Sequence, residues 1–285
     1  MTETRLGSIA FIGGGVMGEA MIQGLLNHKT VAPDGIIVSE PSDKRRKGIE
    51  TRYHIRTTAD NRKAVQEGEV VVFSIKPQIL ARVLPELKGM LRADQLVISI
   101  IAGGRIATLA EGLTHNAIVR AMPNTPAQIG EGLTVWMATS DVSDAQREQA
   151  QLVFQSLGKA ILVDDEKYLD MATAVSGTGP TYTFLVLEAL IDAAVHLGFA
   201  RDVAHDIVIE TMLGSVLYAQ KSGKHPAELR NMVTSPGGTS AEAIYQMEKG
   251  SLRTVLSKAV WAAYKKSCLL GETVGKTAAR KPAVE

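Results

Sequence analysis

The fold of this chain is decided by the segment Ser8-Ile9-Ala10-Phe11-Ile12-Gly13-Gly14-Gly15-Val16-Met17-Gly18. Its apolar first half predicts a short buried strand, and the stretch from Gly18 to Asn27 predicts a helix. Between them, Gly13, Gly15 and Gly18 have the GxGxxG spacing of dinucleotide-binding proteins, which permits a tight turn, close approach to a pyrophosphate and close helix–strand packing. A glycine-rich turn without a ligand is the alternative. We expect a dinucleotide pyrophosphate at the amino end of this helix, in contact with Gly13, Gly15, Val16, Met17 and Gly18.

Short apolar runs and helical stretches alternate from this segment to about residue 163. The strand candidates are Ser8–Ile12, Gly35–Ser39, Val70–Ile75, Gln95–Ile101, Ala117–Ala121, Leu133–Ala138 and Lys159–Val163. Such an alternation is typical of a parallel sheet covered by helices on both faces. After Asp164 the pattern predicts helices only. We therefore predict an α/β fold, with an N-terminal Rossmann-type parallel sheet domain in residues 1–163 and an all-α C-terminal domain in residues 164–285.

Composition excludes several classes of function. The 31 Lys and Arg residues nearly balance the 30 Asp and Glu residues, so no overall field favours nucleic acid or an anionic membrane. The single cysteine, Cys268, excludes an intramolecular disulfide framework and a multi-cysteine zinc site. The run Ile9–Ile12 is too short for a signal-peptide core, and charges interrupt the apolar helix candidate Phe184–Phe199. We expect a cytoplasmic protein without a metal site and without nucleic-acid or membrane partners.

The side chains that follow the second strand candidate, Gly35–Ser39, bear on the choice between NADH and NADPH. Glu40 lies 22 positions after Gly18, where an acidic side chain can bond the adenosine ribose hydroxyls of NAD. Four side chains follow that could instead hold the 2′-phosphate of NADP, or simply form a solvated helix start: Ser42, Lys44, Arg45 and Arg46. The sequence leaves this choice open.

Four further segments carry a family resemblance. They are Ser74-Ile75-Lys76-Pro77-Gln78, Arg120-Ala121-Met122-Pro123-Asn124-Thr125-Pro126, Val175-Ser176-Gly177-Thr178-Gly179-Pro180-Thr181-Tyr182, and His225-Pro226-Ala227-Glu228-Leu229 running on to Ser235-Pro236-Gly237-Gly238-Thr239-Ser240. Their order and spacing resemble the pyrroline-5-carboxylate reductase family, whose members make proline by reducing a cyclic imine. The resemblance covers the chain from about Ser8 to Glu272. It implies hydride transfer from NADPH or NADH to C5 of 1-pyrroline-5-carboxylate.

The resemblance also implies which residues contact the cofactor. Asn61 matches a family position that contacts the ribose. The segments on the nicotinamide side contribute Lys76, Pro77, Ala102, Met122, Pro123 and Asn124. Physically, these segments follow strand candidates, and the carboxyl ends of an open parallel sheet face the ligand crevice. For Lys76, a surface lysine before a helix-starting proline is the alternative.

The segment Ser235–Ser240 has the features of an anion site. Pro236 fixes the backbone, Gly237 and Gly238 expose N–H groups, and a helix begins whose amino end attracts a carboxylate. A glycine-rich helix cap would look the same. The resemblance implies that the substrate carboxylate is held by Ser235, Gly237, Gly238, Thr239 and Ser240. It also implies that Ser240, where the family usually has threonine, hydrogen-bonds the imine nitrogen and is the catalytic residue.

Two other classes of function compete with this interpretation. The first is another Rossmann reductase with a helical C-terminal domain, either a different imine reductase or a β-hydroxyacid dehydrogenase. A β-hydroxyacid dehydrogenase would need a lysine on the main helix of the second domain, and none occurs between Thr178 and Leu197. A non-catalytic NAD(P)-sensing protein would have no small substrate for the Ser235–Ser240 segment. The resemblance further implies a dimer with interlocked helical domains, or a ring of dimers, and the apolar stretches Phe184–Leu190 and Val255–Leu270 agree with self-association.

Overall fold

The structure is a computed structural model that describes residues 6–279, and an eight-stranded sheet lies at its centre. The strands are β1 (Ile9–Ile12), β2 (Ile36–Ser39), β3 (Arg56–Thr58), β4 (Val70–Phe73), β5 (Leu96–Ser99), β6 (Ile118–Met122), β7 (Gly132–Ala138) and β8 (Gly158–Leu162). Their order in the sheet is β3-β2-β1-β4-β5-β6-β7-β8. Because β1 lies between β2 and β4, the strand order reverses there. Ligands of open α/β sheets bind at such a switch point.

Helices follow most strands and make up the last part of the described chain. They are α1 (Val16–Asn27), α2 (Asp43–Tyr53), α3 (Asn61–Glu67), α4 (Pro77–Leu87), α5 (Ile106–Leu113), α6 (Asp144–Gln155), α7 (Lys167–Ala172), α8 (Gly179–His196), α9 (Arg201–Ser222), α10 (Pro226–Met232), α11 (Thr239–Lys249) and α12 (Leu252–Ala279). The predicted fold class, an α/β Rossmann-type region followed by helices, is confirmed.

The central strands of the sheet are buried on both faces. Every residue of β1, β2, β4 and β5 is buried. Their side chains alternate between two hydrophobic clusters: Phe11 and Val72 belong to one, and Ala10 and Val71 belong to the other. This explains why these strands read as continuous apolar runs, because each side chain meets a layer of helices.

Two features of the sheet differ from the sequence prediction. β7 runs antiparallel to β6, because only a 3₁₀ turn (Thr125–Ile129) joins them, and a parallel connection needs a crossover of a dozen or more residues. β3 and α3 are additional elements. The β3 sequence Arg-Thr-Thr contains no apolar residue, and the strand lies at an edge of the sheet, so hydrophobic periodicity does not reveal it.

Contacts between Cα atoms divide the chain into two units. The first comprises the chain up to Thr178 together with the chain from Ala263, and the second comprises Gly179–Ala262. Within the first unit, α7 packs against β6 and β7. The end of α12 reaches the loop after β5, where a Cβ added at Gly103 would lie 2.8 Å from the backbone nitrogen of Gly271. The boundary predicted at residue 163 lies before α7 and stays a proposal.

The second unit consists of helices with large apolar side chains on their surface. Examples of these exposed side chains are Phe184, Leu185, Val216, Tyr245 and Trp261. Across residues 6–279, no helix is both long and apolar enough to span a membrane. Within the same residues, no three His, Cys, Asp or Glu side chains group so that they could hold a metal ion.

Candidate functional site

The loop between β1 and α1 is held in one conformation by its neighbours. Gly13 has a φ of +101°, in the region that favours glycine. Its N–H donates to the carbonyl of Ser39 at 2.8 Å, and its own carbonyl accepts from the Ser74 hydroxyl at 2.7 Å. A Cβ added at Gly13 would lie 2.8 Å from Cγ2 of Ile75. The first glycine is therefore fixed between the carboxyl ends of β2 and β4.

The other two glycines of the GxGxxG spacing have different roles: Gly18 lets α1 pack on the loop, and Gly15 leaves space at the amino end of the helix. A Cβ added at Gly18 would lie 2.9 Å from the carbonyl oxygen of Gly13, so the helix packs directly on the loop. At Gly15, which precedes α1, the added Cβ would meet only the Ser74 carbonyl, 3.8 Å away, among the described residues. The N–H groups of Val16 and Met17 lie in the first turn, where no intrahelical acceptor exists. This open, donor-rich helix end fits a pyrophosphate.

Glu40 is a second fixed group beside this loop. Its Oε2 accepts the Gly14 N–H at 3.2 Å, and its Oε1 accepts the Ser42 N–H at 3.1 Å. The Arg45 guanidinium donates to the Gly14 carbonyl and pairs with Glu19 at 3.3 Å. The glycine loop and the start of α2 are thus joined by a charged network around Glu40.

Asn61 lies at the start of α3, next to the carboxyl end of β2. Its Oδ1 accepts from the Ser39 hydroxyl at 2.7 Å, and its Nδ2 donates to Glu86 at 3.0 Å. Asp60 caps the same helix through the Arg62 N–H at 2.9 Å. The Asn61 amide is therefore held in one orientation at the ligand edge of the sheet.

The segments predicted on the nicotinamide side lie at this same edge. Exposed Lys76 precedes α4, which begins at Pro77, and both follow β4. Ala102 follows β5, and Met122 ends β6. The structure therefore places every predicted cofactor residue at the carboxyl ends of the parallel strands, in the first unit.

The turn after β6 is braced by the side chain of Asn124, which follows Pro123. Oδ1 of Asn124 accepts the Leu133 N–H at 2.9 Å, and its Nδ2 donates to the Ser176 hydroxyl at 3.3 Å. Ser176 lies in a π-helical turn, Thr173–Gly177, which precedes α8. π turns inside helices occur frequently at functional sites.

Sequence reasoning missed a buried network of ion pairs centred on Arg120 of β6. Arg120, only 1% exposed, donates to Glu166 at 2.7 Å and to Asp170 at 3.1 Å. Glu166 also accepts the N–H of Ile106, the first residue of α5, at 2.8 Å, and Ser267 donates to Asp170 at 3.1 Å. The network thereby joins β6 to the start of α5. An arginine inside an otherwise apolar strand was the signal that could have revealed it.

The predicted substrate loop lies in the second unit. Pro236 and Gly237, whose φ is +70°, occupy the corner of a turn closed by the Gly238 N–H, which donates to the Ser235 carbonyl at 3.0 Å. Helix α11 then begins at Thr239 and has no side-chain cap among the described residues. Ser240 is half-buried at the second position of this helix. The Ala241 N–H donates to the Gly238 carbonyl at 3.1 Å, so the N–H groups of Thr239 and Ser240 are the first-turn donors that α11 offers to an anion.

Comparisons with known proteins identify the relatives of this chain. The family model described as "Pyrroline-5-carboxylate reductase dimerisation" matches residues 166–270, and "NADP oxidoreductase coenzyme F420-dependent" matches residues 8–103. A pyrroline-5-carboxylate reductase of Synechocystis is 40% identical, covering 93% of this chain and 98% of that protein. That of Pseudomonas aeruginosa is 39% identical, covering 94% and 98%. The solved Plasmodium falciparum pyrroline carboxylate reductase with NADP bound is 32% identical, with a TM-score of 0.86 over 94% of this chain and 99% of that one.

Proposed function

This chain belongs to the pyrroline-5-carboxylate reductase family, and we propose that it reduces 1-pyrroline-5-carboxylate to L-proline with NADH or NADPH, the last step of proline biosynthesis. The observation that carries the proposal is a match to such reductases at 34–40% identity over 91–94% of the chain. The glycine loop at the sheet switch point supplies the matching cofactor site. The test is whether proline forms from pyrroline-5-carboxylate and the reduced cofactor. A cytoplasmic location also stays a proposal, to be checked by cell fractionation.

The reaction adds one hydride to C5 and one proton to nitrogen, so that the C=N double bond becomes a single bond. When bound, the dihydronicotinamide supplies the hydride. The amino end of α1 holds the pyrophosphate, and the loops after β4, β5 and β6 orient the ring half of the cofactor. The remaining contribution of the protein is to align donor and acceptor and to exclude water. No strong acid is needed if the imine binds already protonated.

The Ser235–Ser240 loop is the proposed binder of the substrate carboxylate. The uncapped start of α11 offers N–H donors and the positive end of the helix dipole to an anion. Ser240, at the second position of this helix, then offers its hydroxyl to the imine nitrogen. The hydroxyl orients the nitrogen rather than acting as a strong acid.

Ser240→Ala is expected to lower kcat/KM for pyrroline-5-carboxylate by roughly ten- to a hundredfold, because a hydrogen bond to a charged group contributes about 1.5–3 kcal/mol. The Kd for NADH, measured by fluorescence, should stay within about twofold of wild type, since the change is confined to the substrate loop. Ser240→Thr is the matched control and should keep most of the activity because the hydroxyl remains. An unchanged kcat/KM in Ser240→Ala would remove Ser240 from the mechanism.

The chain self-associates, as its match to a dimerisation family model indicates. Large apolar side chains cover the helices of the second unit, including Phe184, Leu185 and Trp261, which are 62%, 65% and 59% exposed. Exposed apolar surface of this kind marks contact with another chain. We propose a dimer or a ring of dimers, in which the Ser235–Ser240 loop completes the neighbouring chain's site. Sedimentation as a fully active monomer would contradict this assembly.

A further inference from the structure

We propose that this chain prefers NADH to NADPH and that Glu40 determines the preference. The inference rests on the proposed function only in assuming a nicotinamide dinucleotide at the glycine loop. The carboxyl end of the second strand is the place where Rossmann proteins contact the adenosine ribose. In this chain Glu40 follows β2 directly, and only 8% of the residue is exposed. A carboxylate there accepts hydrogen bonds from ribose hydroxyls and repels a 2′-phosphate.

Glu40 cannot turn away from the ribose position without loosening the glycine loop. Its two carboxylate oxygens each accept one backbone N–H, from Gly14 and from Ser42. Gly14 is itself closely packed, because a Cβ added there would lie 2.6 Å from Cδ1 of Ile49 and 3.5 Å from Cβ of Glu40. The negative charge is therefore built into the loop that holds the cofactor.

The arginines nearby are already engaged by other acceptors. Arg45 bonds the Gly14 carbonyl and lies 3.3 Å from Glu19 and 3.9 Å from Glu40. Arg46 donates to the carbonyls of Glu40 and Pro41 at 2.8 and 3.0 Å and pairs with Asp43 at 3.1 Å. To hold a 2′-phosphate, Arg45 would have to leave two carboxylates and a carbonyl.

Two further groups could still receive a phosphate. Lys44 is exposed, and in the described part of the chain no ion pair involves it. The Ser42 hydroxyl oxygen accepts the Arg45 N–H at 3.4 Å. An exposed lysine is screened by solvent, whereas the carboxylate of Glu40 is buried beside the loop. The buried charge therefore decides the preference.

The test measures binding to the full-length protein without substrate. We expect NADH to bind about tenfold more tightly than NADPH, a difference of about 1.4 kcal/mol. AMP should likewise bind more tightly than adenosine 2′,5′-bisphosphate, which isolates the 2′-position from the rest of the cofactor. A preference for NADH below about fivefold, or a preference for NADPH, would overturn the inference.

Glu40→Gln removes the charge and keeps one acceptor oxygen. Any loosening of the glycine loop weakens both cofactors alike, because they share the pyrophosphate, so the ratio of their Kd values reports only on the 2′-position. We expect this ratio to move towards NADPH by about tenfold. Asp34→Asn makes the same charge change on an exposed side chain before β2, at the opposite end of that strand from Glu40, and should leave the ratio unchanged.

Arg45→Met, made in the Glu40→Gln variant, tests the rival explanation that Arg45 holds a 2′-phosphate. The Glu40→Gln background is needed because Arg45 lies 3.9 Å from Glu40, and its loss alone would strengthen the repulsion of a phosphate. A selective loss of NADPH binding in the double variant would overturn the role given to Glu40, and we expect instead that the ratio of the two Kd values stays as in Glu40→Gln. Failure of both dinucleotides and of AMP to bind would overturn the inference together with the proposed function. Preferential NADH binding without proline formation would leave the inference standing and would count against the reductase activity alone.

Discussion

Gly18→Ala is expected to raise the Kd for NADH by about a hundredfold, because overpacking of a tight contact costs about 1–3 kcal/mol. The added Cβ would lie 2.9 Å from the Gly13 carbonyl oxygen and 3.1 Å from the Ser74 hydroxyl oxygen. Gly13 cannot move aside easily, since its N–H is bonded to Ser39 and its carbonyl to Ser74. The helix must therefore shift away from the loop, which displaces the N–H groups that hold the pyrophosphate.

Gly48→Ala is the matched control for this substitution. Gly48 lies inside α2, and a Cβ added there would meet no atom within 4 Å among the described residues. Alanine should stabilise this helix by about 0.5–1 kcal/mol and leave the Kd for NADH unchanged. Isothermal titration of both variants checks the prediction. Wild-type NADH affinity in Gly18→Ala would contradict the assignment of α1 as the pyrophosphate site.

Arg120→Met is expected to lower the free energy of unfolding by about 3–5 kcal/mol, because it leaves the buried carboxylate of Asp170 without its charged partner. The arginine is 1% exposed and pairs with Glu166 and with Asp170, whose side chain is 10% exposed. Urea unfolding followed by circular dichroism measures the effect. Adding Asp170→Asn to Arg120→Met should recover part of the loss, since the unpaired charge is removed.

Lys167→Met provides the comparison at an exposed ion pair. Lys167 pairs with Asp165 at 2.8 Å, but their side chains are 56% and 45% exposed. Exposed pairs contribute about 0–1 kcal/mol, so this variant should unfold almost as the wild type does. An equal decrease in the free energy of unfolding in Arg120→Met and Lys167→Met would contradict the claim that burial makes the ion pairs of Arg120 more stabilising than an exposed pair.

The sheet could be predicted because its strands are short, apolar and separated by helical patterns. β1, β2, β4 and β5 are wholly buried, so their sequences are continuous runs of apolar residues. Periodicity carries no information on the direction of β7, and the signal that was overlooked is the connection from β6, which is too short for a parallel crossover. β3 was not predicted, because its pairing with β2 depends on backbone hydrogen bonds and its sequence contains no apolar side chain.

The candidate cofactor site was predictable for a topological reason. Residues that follow parallel strands meet at one edge of the sheet, so Gly13, Glu40 and Ala102 come to the same edge without being close in sequence. The partners of these residues were not predictable. The bond of Ser74 to Gly13 spans 61 positions, and that of Arg120 to Asp170 spans 50. Such pairs follow from the packing of the folded chain, which local patterns do not encode.

The most direct test of the proposed reduction follows the hydride itself. The full-length protein is incubated with 1-pyrroline-5-carboxylate and NADH, or NADPH, that carries two deuterium atoms at C4 of the nicotinamide. We expect the cofactor to be oxidised and L-proline to accumulate with one deuterium at C5, as detected by mass spectrometry. Absence of oxidation with either cofactor, or proline without deuterium at C5, would contradict hydride transfer from the dinucleotide to the cyclic imine.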